Sequence, residues 1–83
     1  MDYRLTRHAI EELSERRIPL QLVEMVLADP EQQFEEDDLM VYQSRFAGTQ
    51  GKTYLLRVFV NITVAPARVV TVYKTSKLNK YWR

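Results

Sequence analysis

Seven side chains in the C-terminal half, Arg45, Arg57, Tyr73, Lys74, Lys77, Lys80 and Tyr81, combine cations with phenols. That mixture suits single-stranded nucleic acid, because cations neutralise phosphate and unstacked bases lie on aromatic rings. It also suits RNA cleavage by the 2′-hydroxyl. Such cleavage needs a proton acceptor, a cation to neutralise the phosphorane and a proton donor for the leaving oxygen. Arg57 and Arg45 fit the cationic role. Tyr73 and Lys77 fit the handling of protons or the orientation of the 2′-hydroxyl, and Tyr81 fits base stacking. A phenol ionises at about 10, so Tyr73 needs cationic neighbours to act as a base, and Lys74 and Lys77 have the right sign.

His8 is the other acid or base on offer. It shares a helical stripe with Glu12 and Arg16 at i, i+4 and i+8, so a carboxylate stands where it can orient the imidazole. The same stripe also reads as a brace between the first helix and a sheet. Glu11, Glu12 and Glu15 read as a solvated face. Tyr81 and Trp82 read either as packing against a sheet edge or as a stacking platform. Cysteine is absent, which removes disulfides, thiolate metal sites and a thiol nucleophile, and one His makes no zinc site. With no Gly-rich phosphate loop either, neither metal nor cofactor is implied.

Charge is segregated along the chain. Residues 1–38 hold four basic and all eleven acidic residues, a net −7, while residues 39–83 hold eight basic and no acidic residues, a net +8. The formal total of +1 hides both. A cationic sheet offered to a polyanion is the expectation, with Arg45, Arg57, Tyr73, Lys74, Lys77, Lys80, Tyr81 and Arg16 as its phosphate- and base-contacting groups. Attraction between the acidic helical part and the basic sheet of a second copy is a further option.

These side chains must be held by one domain, since 83 residues leave no room for a second core. Thr6 is a candidate N-cap for a helix over residues 7–17, with Ala9, Ile10 and Leu13 on its apolar face. Pro19 opens a second helix running to about Ala28, and Asp29–Pro30 stops it. A strand begins at Gln32–Phe34, and the acidic run Glu35–Asp38 is placed in a hairpin turn. Strands follow over 39–46, 52–62 and 68–75, joined by a loop at 47–51 and a turn at Ala65–Pro66. Period two puts Tyr54, Leu56, Val58 and Val60 under the helices and Arg57 on the other face. In the last strand it groups Val70 and Val72 with Lys74, and Val69 with Tyr73. No stretch reaches the ~18 apolar residues of a membrane span, so no membrane partner and a cytoplasmic address are expected.

The segments HAIEELSERRIPLQLVEMVLADPE and VVTVYKTSKLNKYW resemble a family of small bacterial proteins filed as a domain of unknown function. The resemblance spans residues 3–82. His8, Ala9, Arg16, Ile18 and Pro30 fit its opening pattern, and Thr71, Tyr73, Lys74, Ser76 and Lys77 its closing one, while Glu12 departs from it. That family looks like a relative of the BrnT-type and RelE/ParE-type toxins of bacterial toxin–antitoxin systems. The resemblance implies an α+β, microbial-ribonuclease-like fold, two N-terminal helices on a mostly antiparallel sheet of about four strands. It also implies metal-independent cleavage of mRNA at the ribosome and inhibition by a cognate antitoxin. A non-catalytic module that binds RNA or protein through the basic sheet explains the same charges.

Overall fold

Thr6 caps the first helix as its place before the apolar stripe predicts. In the computed structural model, which describes residues 1–83, its Oγ1 accepts the Ala9 N–H at 3.1 Å, and α1 runs over Arg7–Glu15. Arg17 then takes a left-handed φ of 54°, and the Ile18 N–H donates to Leu13 O at 2.9 Å, closing the helix end. Pro19, extended, holds the N-cap position of α2, Leu20–Ala28, and the chain leaves that helix at Asp29–Pro30.

Five strands make one mixed sheet. Before α1 lies β1, Tyr3–Leu5, a strand too short for its periodicity to be read. After the helices come β2, Gln32–Glu36, β3, Leu39–Ala47, β4, Thr53–Asn61, and β5, Ala67–Thr75. The order across the sheet is β1-β5-β4-β3-β2, antiparallel throughout except that β1 lies parallel to β5. The expected four strands are therefore joined by a fifth. A short helix, α3, Leu78–Tyr81, follows β5. No helix is long and apolar enough to cross a membrane.

Two acids, not four, make the first hairpin turn. Asp37 and Asp38 have φ of 50° and 65°, the positive values that a two-residue hairpin connection requires, while Glu35 and Glu36 remain in β2. Between β3 and β4 the chain turns through Thr49–Gly51, and Gly48 lies so close to the Tyr54 ring that a Cβ there would overlap it.

Both helices pack on one face of the sheet. Ala9, Ile18, Val23, Val26 and Leu27 meet Leu56, Val58, Val60, Val69 and Val72 in the core. Each Val, Leu or Ile among them contributes about 1.5–3 kcal/mol when fully buried. The alternation expected for β4 holds. In β5 it fails, because Phe59 pairs with Thr71 but Val60 pairs with Val69. Val70 is the extra residue of a bulge, so Val69 and Val72 both reach the core, and Val69 does not share a face with Tyr73.

Glu12 is a second departure. It is buried, not solvated, and its Oε1 accepts the Val72 N–H at 3.0 Å. Past Val69 the outer side of β5 has no strand beside it, and this carboxylate of α1 supplies a partner there. Thr6 does the same nearby, its hydroxyl donating to Val70 O at 3.3 Å.

Candidate nucleic-acid interface

The face of the sheet turned away from the helices carries the expected cluster. Register places Gln43 opposite Arg57 and Arg57 opposite Tyr73, with Gln32 opposite Gln43 on the far side. Arg45 lies on the same face, opposite Leu55. Sequence reasoning left open whether Arg57, Tyr73 and Arg45 face the same way, and the register places all three on one surface. The same reasoning missed Gln43, Gln32 and Glu36, whose place beside Arg57 depends on strand register.

Arg57 is the centre of this network and is only 2% exposed. Its Nε donates to Gln43 Oε1 at 2.9 Å, one terminal nitrogen donates to the Tyr73 hydroxyl at 2.6 Å, and the other to Glu36 Oε1 at 3.3 Å. The guanidinium carbon stands 4.4 Å from the Tyr81 ring centre, 5.0 Å from that of Phe59 and 5.6 Å from that of Tyr73. Every buried polar side-chain atom has a partner. The phosphate-neutralising role expected for Arg57 therefore meets a guanidinium already engaged on every side.

The cover comes from the chain's own C-terminal segment. Gln43 Nε2 donates to Gln32 Oε1 at 2.8 Å and to the Tyr81 carbonyl at 3.1 Å. Gln32 in turn holds both main-chain groups of Arg83, accepting its N–H at 3.1 Å. Trp82 lies under Arg45, 4.3 Å from the guanidinium carbon to the ring centre, and Phe34 lies 3.8 Å from the Arg83 guanidinium. Tyr81 and Trp82 thus pack onto the sheet face itself.

The acids of the first half fold back onto these bases. Glu31 pairs with Arg45 through two side-chain contacts of 2.9 and 3.2 Å and accepts the Arg45 N–H at 2.7 Å. Those hydrogen bonds, the side-chain ones foremost, hold the Glu31 carboxyl below its usual range. Glu36 faces both Arg57 and Arg83, the latter at 3.4 Å. Separation of charge along the sequence is therefore not separation on the surface, because the β2–β3 hairpin lays two carboxylates among three guanidiniums. Lys74, Lys77 and Lys80 keep no carboxylate within 4.0 Å.

The two phenols at Arg57 differ. Burial pushes the Tyr73 hydroxyl above its ordinary pKa, and the hydrogen bond and charge of Arg57 offset this only in part. For Tyr81 burial also raises, but Lys80, Tyr73 and Arg57 together hold its phenol below the ordinary value. The two rings meet edge to face with centres 6.1 Å apart. Of the two phenols, Tyr81 is thereby the easier to ionise.

The remaining predicted residues are spread out. Lys80 stands 5.3 Å from the Tyr81 ring centre, and exposed Lys77 precedes α3, its N–H donating to Thr75 Oγ1 at 3.1 Å. Lys74 pairs with Leu56 on the helix side of the sheet and lies by the Tyr54 ring, away from Tyr73. His8 is exposed on α1, 3.4 Å from Glu12, and Arg16 ends that helix in solvent. Neither joins the Arg57 cluster, and it is Glu12 that braces α1 against β5. Nowhere do three or more His, Cys, Asp or Glu side chains converge as they would around a metal ion.

Fold and site together define a small α+β domain that buries an arginine–phenol cluster on the face of its sheet opposite α1 and α2. Residues 5–74 match a domain of unknown function, DUF4258, and the chain belongs to that family. The matched span holds Gln43, Arg57 and Tyr73 and ends before the segment that covers them. No curated protein and no solved structure matches the chain significantly.

Proposed function

We propose that this chain is a metal-independent endoribonuclease of the toxin kind, related in fold to RelE and BrnT proteins, that cuts mRNA in the bacterial cytoplasm and is held in check by a cognate antitoxin. One observation carries the reading: a buried guanidinium fixes two phenols whose acidities are driven apart, Tyr73 upward and Tyr81 downward. Opposed shifts in adjacent groups suit an acid and a base of one reaction. Two helices packed on one face of a mostly antiparallel sheet support the α+β part of the fold that the resemblance implies.

In the proposed reaction Tyr81, as phenolate, takes the 2′-hydroxyl proton while the 2′-oxygen bonds to phosphorus. The bond from phosphorus to the 5′-oxygen breaks, and Tyr73 protonates the leaving oxygen. A 2′,3′-cyclic phosphate and a 5′-hydroxyl result, and solvent resets both protons. Lys77, Lys80 and Arg83 at the rim neutralise the phosphorane. Arg57, hydrogen-bonded on every side, is a positioning residue here and does not touch phosphate.

Incubating the purified chain with a single-stranded RNA oligonucleotide tests this. Cleavage to cyclic-phosphate ends is expected, with loss of cleavage when the attacking nucleotide is 2′-deoxy. Tyr81→Phe should slow it by at least ~10²-fold, the usual worth of a general base. The engagement of all three Arg57 nitrogens favours a second reading, a binding module without catalysis. RNA bound but uncut by wild type and Tyr81→Phe alike would establish that reading and discard the first.

A further inference from the structure

The sheet edge farthest from β2 carries features that the arginine–phenol cluster does not use. β1 pairs with β5 alone, through Tyr3↔Ala67, Arg4↔Arg68 and Leu5↔Val69. The Ala67 N–H donates to Asp2 O at 3.1 Å, and the Thr6 N–H donates to Val69 O at 3.0 Å. Period two along the strand then turns the main-chain groups of Tyr3 and Leu5 outward, where no strand meets them.

Cavities flank this open edge on both sides. Toward the helices a space of about 570 Å³ is lined by Leu5, Ile10, Leu13, Ile18 and Leu20, with Arg4 and Ser14 completing it. On the opposite side, spaces of about 640 and 270 Å³ share Arg4 and Val64–Pro66. The surface exposes six large apolar side chains, and five of them, Met1, Ile10, Leu20, Ile62 and Val64, line these spaces.

Charge at the edge is equally one-sided. Arg4 and Arg68 are direct cross-strand neighbours on one face, an arrangement that costs stability unless something neutralises it. Neither has a carboxylate within 4.0 Å, and Asp2 is the one acidic residue lining any of the three spaces.

We infer that this edge takes an extended segment of a partner protein, added beside β1 as a sixth strand. The segment alternates apolar residues, which enter the groove beside Leu5 and Leu20, with acidic residues, which lie over Arg4 and Arg68. A second copy presenting its own β1 fits less well, because it brings further arginine to a pair that already repels. The inference stands apart from the ribonuclease reading, since none of the residues it uses belongs to the Arg57 cluster.

A labelled octapeptide of alternating Leu and Glu, titrated into the full chain, tests it beside a block peptide of the same composition. The alternating peptide should bind at least roughly tenfold more tightly and protect the Tyr3 and Leu5 amides from hydrogen exchange. Arg4→Glu should weaken that binding by a similar factor, through reversed charge. Leu20→Asp, at a side chain already half-exposed, should weaken it with the fold intact by circular dichroism. Equal affinity for the two peptides, or unprotected Tyr3 and Leu5 amides, overturns the inference. So does protection of those amides by an RNA oligonucleotide in place of the peptide. Concentration-dependent self-assembly that protects them without peptide would give the edge to a second copy and overturn it as well.

Discussion

Replacing Arg57 by Met removes the cation and keeps an unbranched side chain of similar reach, so the cost reports what the buried charge was holding. Three hydrogen bonds are lost, to Gln43, Tyr73 and Glu36, and the amide and carboxylate partners fare differently. Gln43, fully buried, keeps a carbonyl oxygen without a donor, which costs about 1–3 kcal/mol. Glu36 keeps Arg83 as a partner and its side chain is 31% exposed, so its charge is resolvated at little cost. Contacts with three aromatic rings add about 0.5–2 kcal/mol. The sum is about 3 kcal/mol, the low end of what breaking a buried ion pair costs. A chain of this length has a total stability of roughly 4–12 kcal/mol, so the variant should remain folded but lose about 12–24 °C in Tm. Urea denaturation followed by far-UV circular dichroism measures it. Adding Gln43→Leu removes the stranded carbonyl but also the Gln43 Nε2 bonds to Gln32 and to the Tyr81 carbonyl, so the double variant should be no more stable than Arg57→Met. Arg45→Met, on the same face but solvent-exposed, should leave the midpoint near that of wild type. A loss under about 1 kcal/mol for Arg57→Met would refute the reasoning, because the guanidinium would then be reaching water instead of lying under the C-terminal segment.

Three further outcomes follow from the same geometry. If Tyr81 is the base, cleavage rises with pH as its phenol ionises, with a midpoint below the ordinary value; Tyr81→Phe removes that rising limb, and no falling limb from Tyr73 appears until pH exceeds the ordinary phenol value. A pH–rate profile of wild type beside Tyr81→Phe and Tyr73→Phe checks this. Glu12→Ala should cost about 1–3 kcal/mol in chemical denaturation by leaving the Val72 N–H without its acceptor, whereas Glu12→Gln, which keeps an acceptor oxygen, should cost less. Gly48→Ala should cost about 1–3 kcal/mol, read by thermal denaturation, because its Cβ drives into the Tyr54 ring and that ring is stacked on Phe46.

What could be read from the sequence was what local chemistry determines. Thr6 and Pro19 marked the helix starts, and the apolar alternation of β4 marked which of its faces lies under them. β1 was missed because three residues show no period. The bulge at Val70 was missed because nothing in RVVTVYKT distinguishes an extra residue from a regular one, and that single insertion moved Val69 into the core. Glu12 was read as solvated because a helix pattern shows only its own residues, while the Val72 N–H it meets lies 60 positions away. Gln43 had a usable signal: a polar residue at the alternate position shared with Val41, on a face that β4 fills with Arg57. Only the β3–β4 register turns that into a contact.

The folding back of Glu31 and Glu36 changes what the charge polarity of this chain means. A buried arginine is not an economical source of stability, since desolvation offsets much of its attraction to Glu36, and an apolar side chain with apolar neighbours would pack as well. What Arg57 does that no apolar residue can is fix direction. Its planar fork sets the Tyr73 hydroxyl at 2.6 Å and the Gln43 amide at 2.9 Å, and through Gln43 the Tyr81 carbonyl is set as well. In the basic half the groups left without a carboxylate within 4.0 Å are Lys52, Arg68, Lys74, Lys77 and Lys80, and of these Lys80 stands beside the phenol that ionises more readily. Arg57, beneath the C-terminal segment, is the part that keeps Tyr73 and Tyr81 in place.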